Sequence, residues 1–229
     1  MTLYSIRGGS KEDLESRHYN IGIGISLGNK WFSNENIIKL TKWALKHTRE
    51  SVIIYVADSI HAINVEVRNR IRYEKALEKT IGQGEQLLTD LRRELKSILS
   101  SDDYRKVKYV QWDEISTELY QSKVQYLRML YSNDLNFHAA IVNIVKEFTL
   151  KEQRVFSEQD ISRLGEYIIE ELPECIARVP MGSIECDAYI YPYDGTLTEF
   201  VDQIQKGTIF PKIRDVIMDT APKVLLVVR

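Results

Sequence analysis

The sequence predicts an α/β fold, a single Rossmann-like doubly wound domain whose mainly parallel sheet is flanked by helices. Three observations predict it. Strand-like and helix-like segments alternate along the chain, as successive right-handed crossovers require. The strand-like segments are apolar at consecutive positions, the pattern of strands covered on both faces. No repeat, low-complexity tract or Pro/Ser-rich linker divides the 229 residues, so one domain over 1–229 is expected.

The elements follow in order. After a polar start, "HYNIGIGIS" (18–26) reads as a buried strand. Over 34–48, Ile37, Ile38, Leu40, Trp43, Ala44 and His47 recur at helical spacing, with Ser33 placed as the N-cap. "SVIIYVAD" (51–58) is a second strand, β-branched and apolar on both faces. A long helical stretch covers about 60–100, interrupted by Gly82 and Gly84, since each glycine weakens a helix. "KVKYVQW" (106–112) is the third strand. Helical patterns follow near 113–131, 134–150 and 157–173, the last terminated with the help of Pro173. Strands at 186–192 and 223–228 enclose a helix near 196–206.

Composition sets the class. A chain with 44% hydrophobic and 28% charged residues is an ordinary globular one. It has no apolar run of about 18 residues, so no membrane span is expected. Its first twenty residues carry Asp and Glu and lack an apolar core segment, so a secretory signal is not expected and the location is read as cytoplasmic. Cys175 and Cys186 are read as reduced thiols. Charge is uneven: residues 61–110 hold 11 Lys/Arg against 8 Asp/Glu, while 151–229 hold 9 against 14. A locally basic segment meets polyanions through its local field rather than through net charge.

Gly24-Ile25-Ser26-Leu27-Gly28 carries the chemical question. It fits the G-x-S-x-G elbow of a serine nucleophile, and Gly22-x-Gly24-x-x-x-Gly28 approximates a dinucleotide loop. Ser26 closes the first strand, and in doubly wound sheets ligands bind beyond the carboxyl ends of strands. A serine-histidine-acid triad fits poorly. The four histidines are His18, His47, His61 and His138, and the 91 residues after the last contain none. The dinucleotide reading has Asp58 near the position of a ribose-binding acid, but its third glycine is displaced, and Asn29 to Ser33 separate the loop from the helix start. A serine without a histidine suffices if its electrophile is already activated, as an aminoacyl ester is. Farther on, Tyr167 and Glu171 stand four apart on one helical face, where a phenol and a carboxylate can bind an ammonium group and relay protons.

Together, Gly24-Ile25-Ser26, Tyr167-Ile168-Ile169-Glu170-Glu171-Leu172-Pro173 and the later Tyr191 resemble the motifs of the cyclodipeptide synthases. The resemblance implies a fold like the catalytic domain of class I aminoacyl-tRNA synthetases. It also implies two aminoacyl-tRNAs as substrates, a cyclic dipeptide as product, and no cofactor, metal or membrane. A monomer is expected. By this resemblance Ser26 receives the first aminoacyl group; the amine of the second aminoacyl-tRNA then attacks that ester to give a dipeptidyl-enzyme, whose free amine closes the ring. Glu171 and Tyr167 hold the α-ammonium, and Tyr191 orients the acyl group or relays a proton. Asn29 bonds substrate or loop backbone, and the N–H groups around Leu27–Gly28 polarise the carbonyl.

Gly24, Gly22 and Tyr189 are expected to line the substrate pocket. Gly22 replaces a bulkier residue and makes it roomier, while Tyr189 and Glu174 make it less purely apolar. Arg68, Arg72, Lys75 and Lys79, read as one helical stripe, and Arg92, Arg93 and Lys96 are the candidate tRNA contacts. The sequence departs from the family at Asn20, where a histidine is common, and Asn29 with Tyr191-Pro192 mixes two subfamily signatures. Two other readings stay open: an NAD(P)-dependent oxidoreductase using Asp58, and a non-catalytic tRNA-binding relative of class I synthetases.

Overall fold

Residues 1–150, 152–218 and 221–229 are described in a computed structural model. In chain order the elements are β1 (Leu3–Arg7), α1 (Lys11–Glu15), β2 (Ile21–Ile25), α2 (Asn34–His47), β3 (Val52–Val56), α3 (Asp58–Asn69), α4 (Tyr73–Ile98), α5 (Ser101–Lys106), β4 (Val107–Gln111), α6 (Trp112–Ile115), α7 (Glu118–Asn133), α8 (Leu135–Thr149), α9 (Glu158–Ile176), β5 (Val179–Met181), β6 (Ile184–Cys186), β7 (Ala188–Tyr191), α10 (Thr196–Gln205), α11 (Pro211–Ile217) and β8 (Val224–Val228). Six strands form one sheet in the order β1-β8-β7-β2-β3-β4, and β5 and β6 form a separate hairpin. All neighbours in the large sheet run parallel except the β1–β8 pair. The doubly wound, mainly parallel expectation therefore holds.

From β2 the chain steps outward through β3 to β4, then returns to place β7 on the other side of β2. The order reverses between β2 and β7, which opens a crevice beyond their carboxyl ends. Ser26 follows β2 directly and Tyr191 ends β7, so both sit at this switch point.

Both faces of the sheet are covered. Ile21, Ile23 and Ile25 pack with Val52, Ile54 and Val56 toward α2 and α4. Ile53 and Tyr55 pack on the opposite side with α7, α8 and α9. Alternation along a strand explains the division. It also puts Gly22 and Gly24 on the Tyr55 side, with consequences for the pocket.

Several elements differ from the sequence expectation. β1 was not expected; it gains its partner only because the chain's last strand lies beside it. The long stretch over 60–100 is two helices, and the break is at the left-handed Arg70 (φ 54°) rather than at the glycines. Gly82 and Gly84 lie inside α4. A side chain at Gly84 would put its Cβ 2.6–2.7 Å from Asp58 atoms, so this glycine permits the close approach of α3 and α4. A Cβ at Gly82 would meet nothing within 4 Å. Gly84→Ala should therefore cost ~1–3 kcal/mol by overpacking, while Gly82→Ala should stabilise by up to ~1 kcal/mol through helix propensity. Urea denaturation of the two variants checks the contrast.

The segment over 113–131 is likewise divided, because Thr117 caps α7 by accepting from the Tyr120 N–H at 3.3 Å. Pro173 does not end α9, which continues to Ile176. Leu172, Cys175 and Ile176 are all in the core, and their burial outweighs the one hydrogen bond that proline cannot donate. The strand at 186–192 is split at Asp187. Its buried carboxylate accepts from the Asn20 N–H (2.8 Å), Arg49 (3.1 Å) and Arg178 (2.9 Å). β5, β6 and α11 were also not expected.

Candidate active site

The loop after β2 is a tight turn. The Asn29 N–H donates to the Ser26 carbonyl at 3.3 Å, and Gly28 adopts φ +81°. A type II turn needs a positive φ at this third position, which favours glycine. The Asn29 side chain accepts from the Trp31 N–H at 3.0 Å and also reaches the Tyr191 phenol. Of the two roles expected for Asn29, the bonded backbone is the one visible. Among the described residues the Leu27 and Gly28 N–H groups enter no backbone hydrogen bond, so both are available beside the serine.

Two of the cavities at Ser26 also reach Glu171 and Tyr191. The larger, about 520 Å³, is open and lies between the Ser26–Asn29 loop, α3 and the facing sides of α8 and α9; Tyr167, Glu171 and Tyr191 line it. The smaller, about 110 Å³, runs down from Ser26, Glu171 and Tyr191 to Gly24, Tyr55, Glu174, Cys175 and Tyr189. Ser26, Tyr167, Glu171 and Tyr191, separated by up to 165 positions in sequence, thus surround common space.

Electrostatics in this space are set by burial. The Tyr167 phenol donates to Glu171 Oε1 at 3.5 Å. Burial, then repulsion from Glu174, pushes the Glu171 carboxyl up to about 8. Burial followed by the Glu171 charge holds Tyr167 well above the ordinary phenol value and Tyr191 at about 12. Ser26 lies close enough to both phenols to oppose these shifts. The site therefore offers a hydroxyl, two neutral phenols and a carboxyl that exchanges its proton near neutral pH.

Beneath it lies a second polar cluster. Glu174 accepts from the Tyr55 phenol at 2.7 Å and pairs with Lys223, whose side chain is completely buried. Burial lowers the Lys223 pKa, but Cys186 and Glu174 more than offset this and leave it raised. The Lys223 ammonium also stands 5.5 Å and 5.6 Å from the centres of the Tyr55 and Tyr189 rings.

Gly22 lines neither of these cavities, which corrects the expectation of a roomier pocket. A Cβ there would lie 2.6 Å from Cys186 Sγ and 2.9 Å from Tyr55 Cε1. At Gly24 a Cβ would lie 2.7 Å from the Tyr55 hydroxyl. The two glycines instead clear a bed on which the Tyr55 ring lies, and that ring floors the smaller cavity. Gly24 and Tyr189 do line it.

The basic residues are distributed differently from the single stripe expected. Arg68 belongs to α3, separated from α4 by the break at Arg70, and it bonds Glu152 (2.7 Å) at the larger cavity. Arg72 precedes α4 as its N-cap and is exposed. Lys75 and Lys79 are on α4, and Arg93, which pairs with Asp90, falls on the same face by helical spacing. Arg92 lies over the Tyr109 ring, and Lys96 is exposed.

His61 and Lys223 were not singled out from the sequence. His61 lines the larger cavity 3.3 Å from where a Gly28 Cβ would stand, and burial lowers its pKa to about 4. A histidine soon after a strand's carboxyl end is the only sequence signal it carried. Lys223 opens an apolar strand and carried none. Asp58, the acid of the dinucleotide reading, is engaged in structure: it accepts from the Trp112 N–H (3.1 Å) and Gln111 Nε2 (3.0 Å). Asn20, at the departed motif position, accepts from the Ser51 N–H (3.1 Å) and ties β2 to β3 at the end of the sheet far from Ser26. Among the described residues no group of three His, Cys, Asp or Glu is arranged to hold a metal, and no helix is long and apolar enough to cross a membrane.

Residues 10–206 match the model of the family described as cyclodipeptide synthase. The chain belongs to the cyclodipeptide synthase family. The synthase is 24% identical over 192 residues to the cyclo(L-leucyl-L-phenylalanyl) synthase of Streptomyces noursei, covering 81% of this chain and 77% of that protein. Its fold is similar to that of a cyclodipeptide synthase from Bacillus thermoamylovorans, with TM-score 0.73, 14% identity and coverage of 96% and 91% of the two chains. It is also similar in fold to a synthase from Candidatus Glomeribacter gigasporarum solved bound to Phe-tRNAPhe, with TM-score 0.59, 17% identity and coverage of 92% and 88%.

Proposed function

We propose that this synthase joins two amino acids, each delivered as an aminoacyl-tRNA, into a cyclic dipeptide through an aminoacyl-Ser26 intermediate. The observation that carries the reading is the meeting of Ser26, Glu171 and Tyr191 where a cavity of about 520 Å³ adjoins one of about 110 Å³. The larger suits the end of a large carrier, and the smaller suits a side chain. The Phe-tRNA-bound relative supports the substrate class.

The steps balance as one ester exchange and two aminolyses, the second of which closes the ring. Ser26 Oγ attacks the carbonyl carbon of the first aminoacyl ester, and its proton passes, by way of Tyr191 or Tyr167, to the departing ribose oxygen. The Leu27 and Gly28 N–H groups stabilise the charge on the carbonyl oxygen. Tyr167 and Glu171 grip the α-ammonium of the bound residue, and Glu171, with its pKa near 8, accepts the proton that frees the amine.

Atom balance corrects the order expected from the sequence. If the second amine attacked the serine ester, the serine would be released and the dipeptide left on tRNA. A dipeptidyl-enzyme forms only when the amine bound at Glu171 attacks the second aminoacyl ester and expels the second tRNA. The new amine then attacks the serine ester, closes the ring and releases Ser26.

For the tRNA, Lys75, Lys79 and Arg93 offer a face spanning ~27 Å of α4 at 1.5 Å per residue. Lys79 reaches the serine loop, since it lines a cavity shared with Ser26 and Gly28. Binding of aminoacyl-tRNA should weaken steeply with salt. Lys75→Ala and Arg93→Ala should each lower the log–log salt slope by about 1, as filter binding would show. The function itself is tested by expressing the chain in bacteria and searching the medium for diketopiperazines by mass spectrometry. Their absence, together with failure of the purified protein to release labelled dipeptide from aminoacyl-tRNA, would exclude it.

A further inference from the structure

Two polar groups in the floor of the smaller cavity have hydrogen-bonding capacity that the protein does not use. Glu174 is 2% exposed. Its Oε1 receives the Tyr55 phenol and Lys223, but its Oε2 receives only the Cys175 thiol at 3.7 Å, a weak donor at long range. The Tyr189 phenol, on a residue 6% exposed, has no hydrogen-bond partner among the described residues; its ring packs with Leu225 and Val227 and meets the Lys223 charge. Buried polar groups normally find partners, so a pair left open on one cavity wall points to a ligand.

We propose that this cavity holds the side chain of the first aminoacyl group and selects an uncharged side chain bearing a hydrogen-bond donor, a carboxamide above all, over an aliphatic one of equal size. The inference rests on the aminoacyl-Ser26 reading, because the cavity opens at Ser26 and Glu171. The volume of about 110 Å³ matches roughly four waters at about 30 Å³ each, which suits a side chain of about four or five heavy atoms.

Charge favours a neutral group: Lys223 already balances Glu174, so a second cation would leave the buried floor with a net charge. A carboxamide donates to Oε2 while its oxygen accepts from the Tyr189 hydroxyl. A leucine or methionine side chain would expel water from both groups and return no bond. Sites with buried groups that need partners reject such analogues strongly. The apolar walls at Ile25, Ala57 and Leu197 accommodate the methylene stem.

The test charges one tRNA body with each amino acid and measures the rate at which label becomes attached to denatured protein. Glutaminyl or asparaginyl label is expected to accumulate at least tenfold faster than leucyl or methionyl label. Tyr189→Phe is expected to shrink that ratio several-fold. The double variant Glu174→Leu/Lys223→Met, which replaces the ion pair as a unit, is expected to reverse it. Leucyl or methionyl label at the carboxamide rate, or fastest labelling by lysyl or arginyl groups, would overturn the selection and leave the acyl-serine reading intact. No label from any charge would overturn both. If the double variant does not fold, the wild-type and Tyr189→Phe ratios still decide.

Discussion

Ser26→Ala should abolish covalent capture of the aminoacyl group while leaving the fold unchanged. Wild-type protein incubated with radiolabelled aminoacyl-tRNA should retain label through denaturation, and the variant should retain none. Product formation should fall by at least ~10³-fold, because losing a covalent nucleophile removes a whole pathway, and the Cys175 thiol in the smaller cavity is held protonated by burial. His61, the one histidine lining either cavity described, does not offer a substitute route: burial holds its pKa near 4, which makes it a weak base. Stability should barely move, since Ser26 is only partly buried and its hydroxyl holds no backbone group. Label on the alanine variant equal to wild type would remove the acyl-enzyme and leave direct transfer between the two tRNAs. The melting temperature of the variant separates this outcome from misfolding.

Glu171→Gln should give a protein that is more stable than wild type at high pH and nearly inactive. The sign follows from the proton balance. Glu171 has a pKa of about 8 in the folded chain against 4.5 for the free side chain, because burial and the nearby Glu174 disfavour its charge. Between these values the folded state binds more protons than the unfolded state, so stability is full below 4.5 and is lost as pH rises through about 8. Each pH unit in that window removes up to ~1.4 kcal/mol. Glutamine carries no such burden, so melting curves of variant and wild type should lie close together at acid pH and diverge by several degrees above pH 8. Product formation should drop at least ~10²-fold, since the amide neither binds the ammonium by charge nor accepts its proton. A glutamine variant with full activity would exclude the amine-binding role. Coincident melting curves at all pH values would exclude the strained carboxylate.

Glu171 shows how function and stability pull apart at this site. A carboxyl poised near neutrality has to be buried beside another acid, and the fold bears the cost through packing elsewhere. Gly22 and Gly24 express the same compromise: they forgo side chains in the most central strand so that the Tyr55 phenol can lie across it and reach Glu174. Gly24→Ala would drive a methyl into the Tyr55 hydroxyl and is expected to disturb the smaller cavity before it disturbs the sheet.

Much of the chemistry was legible in the linear order. The run Ile21 to Ile25 is apolar without interruption by charge, and a serine immediately follows it, so a serine at a strand's carboxyl end could be read directly. Tyr167 and Glu171 could be placed on one helical face because a four-residue step is a local property of the helix. Other features resisted reading for equally local reasons. Pro173 looked like a terminator because propensity describes an isolated helix, whereas the burial of Leu172 and Ile176 carries α9 past it. The break between α3 and α4 fell at Arg70 rather than at Gly82 or Gly84, since neither glycine leaves helical geometry when a neighbouring element needs its missing side chain or nothing opposes it. Arg68 appeared to continue a basic stripe only because the helix was drawn without that break.

Strand periods, the serine turn and the phenol–carboxylate step are set by interactions within a few residues, and the sequence by itself determined them. The tertiary structure alone decided which of these meet. The reversal of strand order between β2 and β7 brings Tyr191 to Ser26, and the crossing of α9 over the sheet sets Glu174 against Tyr55, 119 positions away, and against Lys223, 49 positions on. Contacts across such separations impose no period on the chain. They arise when both faces of a central sheet are covered at once, and so the polar floor of the smaller cavity could be found only in three dimensions.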